Sequence, residues 1–109
     1  MQQSPQELNA GIFAALAHPN RLRILEHLRG SPKCNCELAP LLGLEQSNLS
    51  RHLKLLEQAG VLTSRKEGLR VHYRVADERI FEMLDLAAGV AKRAALERLK
   101  AVEPESHTR

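Results

Sequence analysis

The chain has 109 residues, which at about 100–150 residues per domain leaves room for one compact unit and excludes a two-domain enzyme. Hydrophobic residues make up 43% and charged residues 27%, close to globular averages, so intrinsic disorder and collagen-like or low-complexity chains are excluded. The net charge of +3 is modest, but residues 46–75 carry six basic and two acidic side chains, a net of +4 that leaves the remainder at −1.

In chain order, Leu8, Ile12, Ala15 and Leu16 recur at helical spacing behind Ser4 and Pro5, a cap and first-turn pair, which predicts a helix over 5–17. Pro19 opens a second helix, 19–29, with Leu22, Ile24, Leu25 and Leu28 inward and Arg21, Arg23 and Arg29 toward water; Gly30, Ser31 and Pro32 end it. A short third helix covers 35–42, with Leu38, Leu41 and Leu42 inward and Gly43 as terminator. A fourth runs over 46–59. Its Leu49, Leu53 and Leu56 stand at i, i+4 and i+7, so at about 100° per residue Ser47, Arg51, Lys54 and Gln58 lie on the opposite side. Two short helices joined by a glycine-containing turn, the second exposing polar groups, form a helix-turn-helix pattern.

Strands are predicted at 61–66 and 70–75 around Glu67 and Gly68. In the second, Val71, Tyr73 and Val75 alternate with Arg70, His72 and Arg74, giving one apolar and one basic face, the pattern of a wing. A long helix over 78–100 carries the stripe Ile80, Leu84, Ala87, Ala91 and Ala95. Its run AAGVAKRAA admits close approach of another helix, which predicts a homodimer formed through the first and last helices. The expected fold class is mainly α with a small β-hairpin: a single winged helix-turn-helix domain over 1–103 and a flexible tail over 104–109.

These residue types fit double-stranded DNA. A helix fits the major groove, where Gln46, Ser47, Asn48 and Arg51 are predicted base readers, Ser50 suits a base or a phosphate, and His52 shares the same helix. Lys54, Arg65, Lys66, Arg70 and Arg74 are assigned to phosphates, where their contribution is charge and depends on salt. His18, His27, His52 and His72 are read as capping, packing or phosphate-contacting groups, and Glu57 and Glu67 as solvated charges. No run approaches the roughly 18 apolar residues of a membrane span, and the first ten residues lack the pattern of a signal peptide, so a cytoplasmic location is expected.

The stretch LAHPNRLRILEHL, followed by CNCELAPLLGLEQSNLSRHLKLLEQAGVLTSRKEGLRVHYRV, resembles the ArsR/SmtB family of metal-responsive winged-helix repressors. The RLRIL helix, the C-x-C-E-L opening of the third helix, the L-S-R-H-L-K-L-L helix and the R-K-E-G wing turn occur in order at the family's spacing. The resemblance implies a homodimer that occupies operator DNA and releases it when an inducer binds.

Cys34 and Cys36 carry the inducer question, because thiolates are preferred donors for As(III), Sb(III), Cd(II), Pb(II) and Zn(II). Residues two apart on an ideal helix diverge by about 200°, so both sulfurs can hold one ion only where the chain is extended or unwound, and capture is expected to distort the first turn of the third helix. In the arsenic-sensing branch the pattern often runs C-x-C-x-x-C; here the last position is Ala39, which leaves an exogenous thiol, Glu37 or a partner-chain group as further donor. The family's interhelical D-x-H site is not matched, since Arg79 follows Asp77. Inert buried thiols, a redox pair, and a thiol metal carrier with no DNA role are the competing readings. No nucleophile–base set, phosphate loop or framed carboxylate pair supports an enzyme.

Overall fold

Ser4 opens the first helix. In the computed structural model, which describes residues 2–102, the Ser4 hydroxyl accepts from the Glu7 amide at 3.1 Å and the Glu7 carboxylate accepts from the Ser4 amide at 2.8 Å. This reciprocal capping box starts α1, Pro5–Leu16. His18 caps α2, Pro19–His27, its Nδ1 accepting from the Asn20 amide at 3.0 Å. Then come β1 (Lys33–Cys34), α3 (Asn35–Leu42), α4 (Gln46–Gln58), β2 (Leu62–Glu67), β3 (Arg70–Val75) and α5 (Arg79–Val102). The helices and the hairpin stand where the sequence predicts, within one or two residues at each end. The expected 104–109 tail lies outside the described residues.

The described residues fall into two units that divide after Glu78. The core of the first is built from Ile24, Leu25, Leu38, Leu49, Leu53, Leu56, Val61 and Leu62, all at most 1% exposed. Two leucines expected inside are not: Leu22 and Leu41 are 37 and 50% exposed. For Leu41 the reason is geometric, since the buried arc of α3 runs through Leu38, Ala39 and Leu42 and Leu41 falls beyond its edge.

The turn between α3 and α4 is fixed by Gly43. Its φ of +66° lies in the left-handed region, and the Gly43 and Leu44 amides donate to the Pro40 and Ala39 carbonyls at 3.3 and 3.1 Å, the paired bonds of a Schellman end. The wing is an antiparallel hairpin in which Leu62 pairs with Val75 and Glu67 with Arg70. That register leaves a two-residue loop whose first member, Gly68, has φ +64°, as a tight hairpin of the right twist requires.

A third strand was not expected. β1 joins the free side of β3, in the order β1-β3-β2, with Lys33 opposite Tyr73 and Cys34 opposite His72. Two residues after a proline carry no alternation to read. In the second unit, Ile80, Phe81 and Leu84 of α5 are buried, while every residue from Asp85 to Ala101 is exposed. No described helix is long and apolar enough to cross a membrane.

Candidate nucleic-acid interface and thiol pair

α4 separates its faces sharply. Leu49, Leu53 and Leu56 are buried, whereas Gln46, Ser47, Ser50, Arg51 and Lys54 are exposed and Asn48 is half-buried. His52 does not join them. It is 8% exposed, its ring 4.6 Å from that of His18 and its Nδ1 3.3 Å from an Arg21 guanidinium nitrogen. Arg21, expected in water, also donates through Nε to the Ala15 carbonyl at 2.6 Å and through Nη2 to that of Ala14 at 3.4 Å. It closes the end of α1 while bridging to α4. Burial in the first place, then the neighbouring His18, Arg21 and Arg51 charges, lowers the His52 pKa below 6.5.

The wing holds all four of its predicted cations exposed. Residues opposite each other in the ladder share a face, so Arg65, Arg70 and Arg74 lie with His72 on one side, and Lys66, opposite Val71, lies on the other. Glu67, read from sequence as a solvated charge, stands between two of them. Its carboxylate oxygens are 3.8 Å from Arg65 Nε and 3.6 Å from His72 Nδ1. The same residues border a groove of about 520 Å³ that reaches Pro32 and Arg74.

The thiol pair sits at the joint between the wing sheet and the helix-turn-helix. Cys34 ends β1 and caps α3 in extended backbone, φ −83° and ψ 162°, and is fully buried; Cys36 is the second residue of the helix and is exposed. Their Cα atoms are 5.2 Å apart and the two sulfurs are bonded to each other. The sulfurs meet where the backbone is extended, one of the two arrangements the sequence allows. One of them precedes the helix, so α3 keeps its full span while they converge.

Glu37 is otherwise engaged, its carboxylate accepting from the Cys34 amide at 2.9 Å, the reach-back half of a capping box. Ala39 is buried, and among the described residues no cluster of three His, Cys, Asp or Glu side chains is arranged to hold an ion. Once the disulfide is reduced, the two sulfurs are a donor set that fits a soft ion, with its remaining positions left to an outside ligand. α3 also contains Pro40, which has no amide to bond the Cys36 carbonyl four residues earlier, so this turn carries one restraint fewer than a regular helix.

The pattern described as "Bacterial regulatory protein, arsR family" matches residues 18–64. The HTH-type transcriptional regulator Rv0081 of Mycobacterium tuberculosis is 39% identical over 105 residues, covering 94% of this chain and 92% of its own. Its crystal structure superposes with a TM-score of 0.79 over 90% of this chain and 99% of that one, at 38% identity. A probable mercury resistance operon repressor of Streptomyces lividans is 31% identical over 85 residues, 78% of this chain and 68% of its own. The homodimeric winged helix-turn-helix DNA-binding domain Mb0332 of Mycobacterium bovis has a TM-score of 0.75 over 85% of this chain and 91% of that one, at 28% identity.

Proposed function

Because the chain belongs to the arsR family of bacterial regulatory proteins, we propose that it is a dimeric repressor that leaves its operator when As(III) or Sb(III) is captured by Cys34 and Cys36. It is a DNA-binding transcriptional regulator with a winged helix-turn-helix fold, not an enzyme. One observation carries the DNA reading: α4 buries a leucine edge and presents Gln46, Ser47, Ser50, Arg51 and Lys54 to solvent beside a wing bearing Arg65, Lys66, Arg70 and Arg74. Arg51, with Ser47, Asn48 and Gln46, reads base edges; Lys54 and the wing cations hold phosphates. α1 leaves Leu8 and Phe13 exposed, and α5 leaves Leu86, Val90, Leu96 and Leu99 exposed; these are the faces assigned to the second protomer.

For induction, the position of the thiols matters more than their number. β1 pairs with β3 of the wing, and α3 packs on α4, so the Cys34–Cys36 joint adjoins both elements assigned to DNA. A soft ion bound to both thiolates supplies two strong bonds across that joint. Moving a repressor from 99% bound to 1% bound takes about 5.5 kcal/mol of preference for the released state, a scale two such bonds can reach. The mercury repressor relative adds Hg(II) to the ions worth testing, with Cd(II), Pb(II) and Zn(II) as further alternatives.

A second reading is favoured by the bonded sulfurs themselves. Two thiols give up two electrons and two protons to a two-electron oxidant, such as hydrogen peroxide, and form the disulfide, which then serves as the signal. Fluorescence anisotropy on upstream DNA separates the readings. The reduced protein is titrated with As(III), Sb(III), Hg(II), Cd(II), Pb(II) and Zn(II), with and without glutathione, and separately with peroxide. Release by As(III) or Sb(III), lost in the Cys34→Ser, Cys36→Ser variant that still binds DNA, is expected. Release by peroxide alone selects the redox reading, inducibility of the double variant moves the sensor elsewhere, and absence of salt-sensitive DNA binding leaves a thiol carrier.

A further inference from the structure

A cleft of about 310 Å³ opens between the start of α2 and the middle of α4, with His18, Asn20, Arg21, Asn48, Arg51 and His52 as its polar walls. Four of these are basic side chains and none is a carboxylate. His18 Nδ1 is committed as an acceptor to the Asn20 amide, so its other ring nitrogen carries the proton. The Arg21 guanidinium, a donor only, faces His52 Nδ1, which assigns the His52 proton to its far nitrogen in the same way. Arg51 has no carboxylate partner among the described residues. The Arg21 and Arg51 guanidinium groups thus line the cleft with no anion among its walls, like charges repel, and the charge missing from the arrangement is negative.

We propose that this cleft seats one phosphate of the DNA backbone, flanking the groove into which α4 projects. The proposal rests on the DNA-binding reading above and adds α2 to the interface through His18, Asn20 and Arg21. The cleft shares Asn48 and Arg51 with the solvent face of α4, so a strand whose bases meet that face passes the cleft mouth. With Asn48 and Arg51 assigned to base edges, the donors left for the phosphate are the Asn20 side-chain amide and the His18 ring N–H, with Arg21 behind them as fixed positive charge. Contacts of this kind set the register of a protein on the duplex without reading sequence.

The test is a charge introduced where the fold tolerates it. Asn20 Oδ1 already accepts from Arg23 Nη1 at 3.1 Å, and an acid in the first turn of a helix suits its dipole, so Asn20→Asp keeps its fold while opposing an anion in the cleft. Gln6→Glu, in the first turn of α1, makes the same change in net charge outside it. In anisotropy titrations from 50 to 300 mM salt, Asn20→Asp is expected to weaken operator and random DNA alike, about tenfold, and to make the log K against log salt slope shallower by about 1 per protomer. Gln6→Glu is expected to keep the wild-type slope. A slope for Asn20→Asp equal to that of Gln6→Glu overturns the proposal. So does saturable movement of the His18 and His52 ring resonances on adding inorganic phosphate at constant ionic strength, if the slope is unchanged, since that makes the cleft a free-anion site. Should the wild type show no salt-sensitive DNA binding, the DNA reading itself has failed, a separate result.

Discussion

His52 and Arg51 are neighbours in sequence with opposite assignments. Arg51 is exposed and is proposed to meet base edges, so Arg51→Ala is expected to cost about 1–3 kcal/mol on the operator and to relax sequence preference, whereas Lys66→Ala is expected to weaken all sequences alike. Competition titrations with operator and random DNA check this division, and equal losses on both DNAs for both variants refute it. His52 is buried with a pKa held below its unfolded value, by desolvation first and by His18, Arg21 and Arg51 next. The unfolded chain therefore binds the proton more readily, and the stability that His52 contributes above about pH 6.5 is lost as pH falls toward the folded pKa. Thermal melts are expected to show Tm declining over that acidic range, with a flatter profile in His52→Gln. An identical profile for the variant assigns the decline to other groups. Sequence reading grouped His52 with the DNA-facing side because of its residue type. Its angle says otherwise, because it stands three residues after buried Leu49 and one before buried Leu53, at the border of the apolar arc.

At the scale of elements, the helices were legible because leucine spacing and punctuation agreed. Ser4, Pro5, Pro19 and Gly43 mark ends that the periodicity already implies. What stayed hidden depends on single residues or long range. β1 has two residues and exists only by pairing with β3, some forty positions later, a contact no local pattern announces. The candidate thiol site was legible in part: the predicted 35–42 span already sets Cys34 ahead of the helix, where it meets Cys36 without cost to α3, but nothing local shows that Cys34 belongs to a strand. The turn that aims α4 is equally local. Gly43 has φ +66° with open space where a Cβ would stand, so Gly43→Ala meets no clash and is penalised only by its backbone, by about 1–2 kcal/mol. Gly43→Asn is expected to lose less. Chemical denaturation checks the order; Ala and Asn variants as stable as wild type would show that the left-handed conformation is not required.

Across the whole molecule, the two described units present different surfaces. Residues 46–75 concentrate the positive charge, while α5 runs from Asp85 to Ala101 with no residue covered. Leu86, Val90, Leu96 and Leu99 are 72, 71, 51 and 61% exposed, more large apolar surface than a helix left in water gains from. Full burial of such a side chain is worth about 1.5–3 kcal/mol. Eight of them, four from each copy, would give about 12–24 kcal/mol at full burial from full exposure, an upper bound that their partial cover already lowers toward the about 4–15 kcal/mol that association costs. An interface so balanced fails when part of it is removed. Val90→Glu with Leu96→Glu withdraws four of the eight side chains and adds four carboxylates to the buried face. Sedimentation velocity at about ten micromolar is expected to show wild-type dimers and variant monomers, and the variant's Tm to lose its dependence on protein concentration. On the proposed reading two protomers engage half-sites about 34–36 Å apart on one duplex, so operator affinity is expected to fall with the dimer even though α4 and the wing are untouched. A variant that still sediments as a dimer places the protomer contact away from this face of α5.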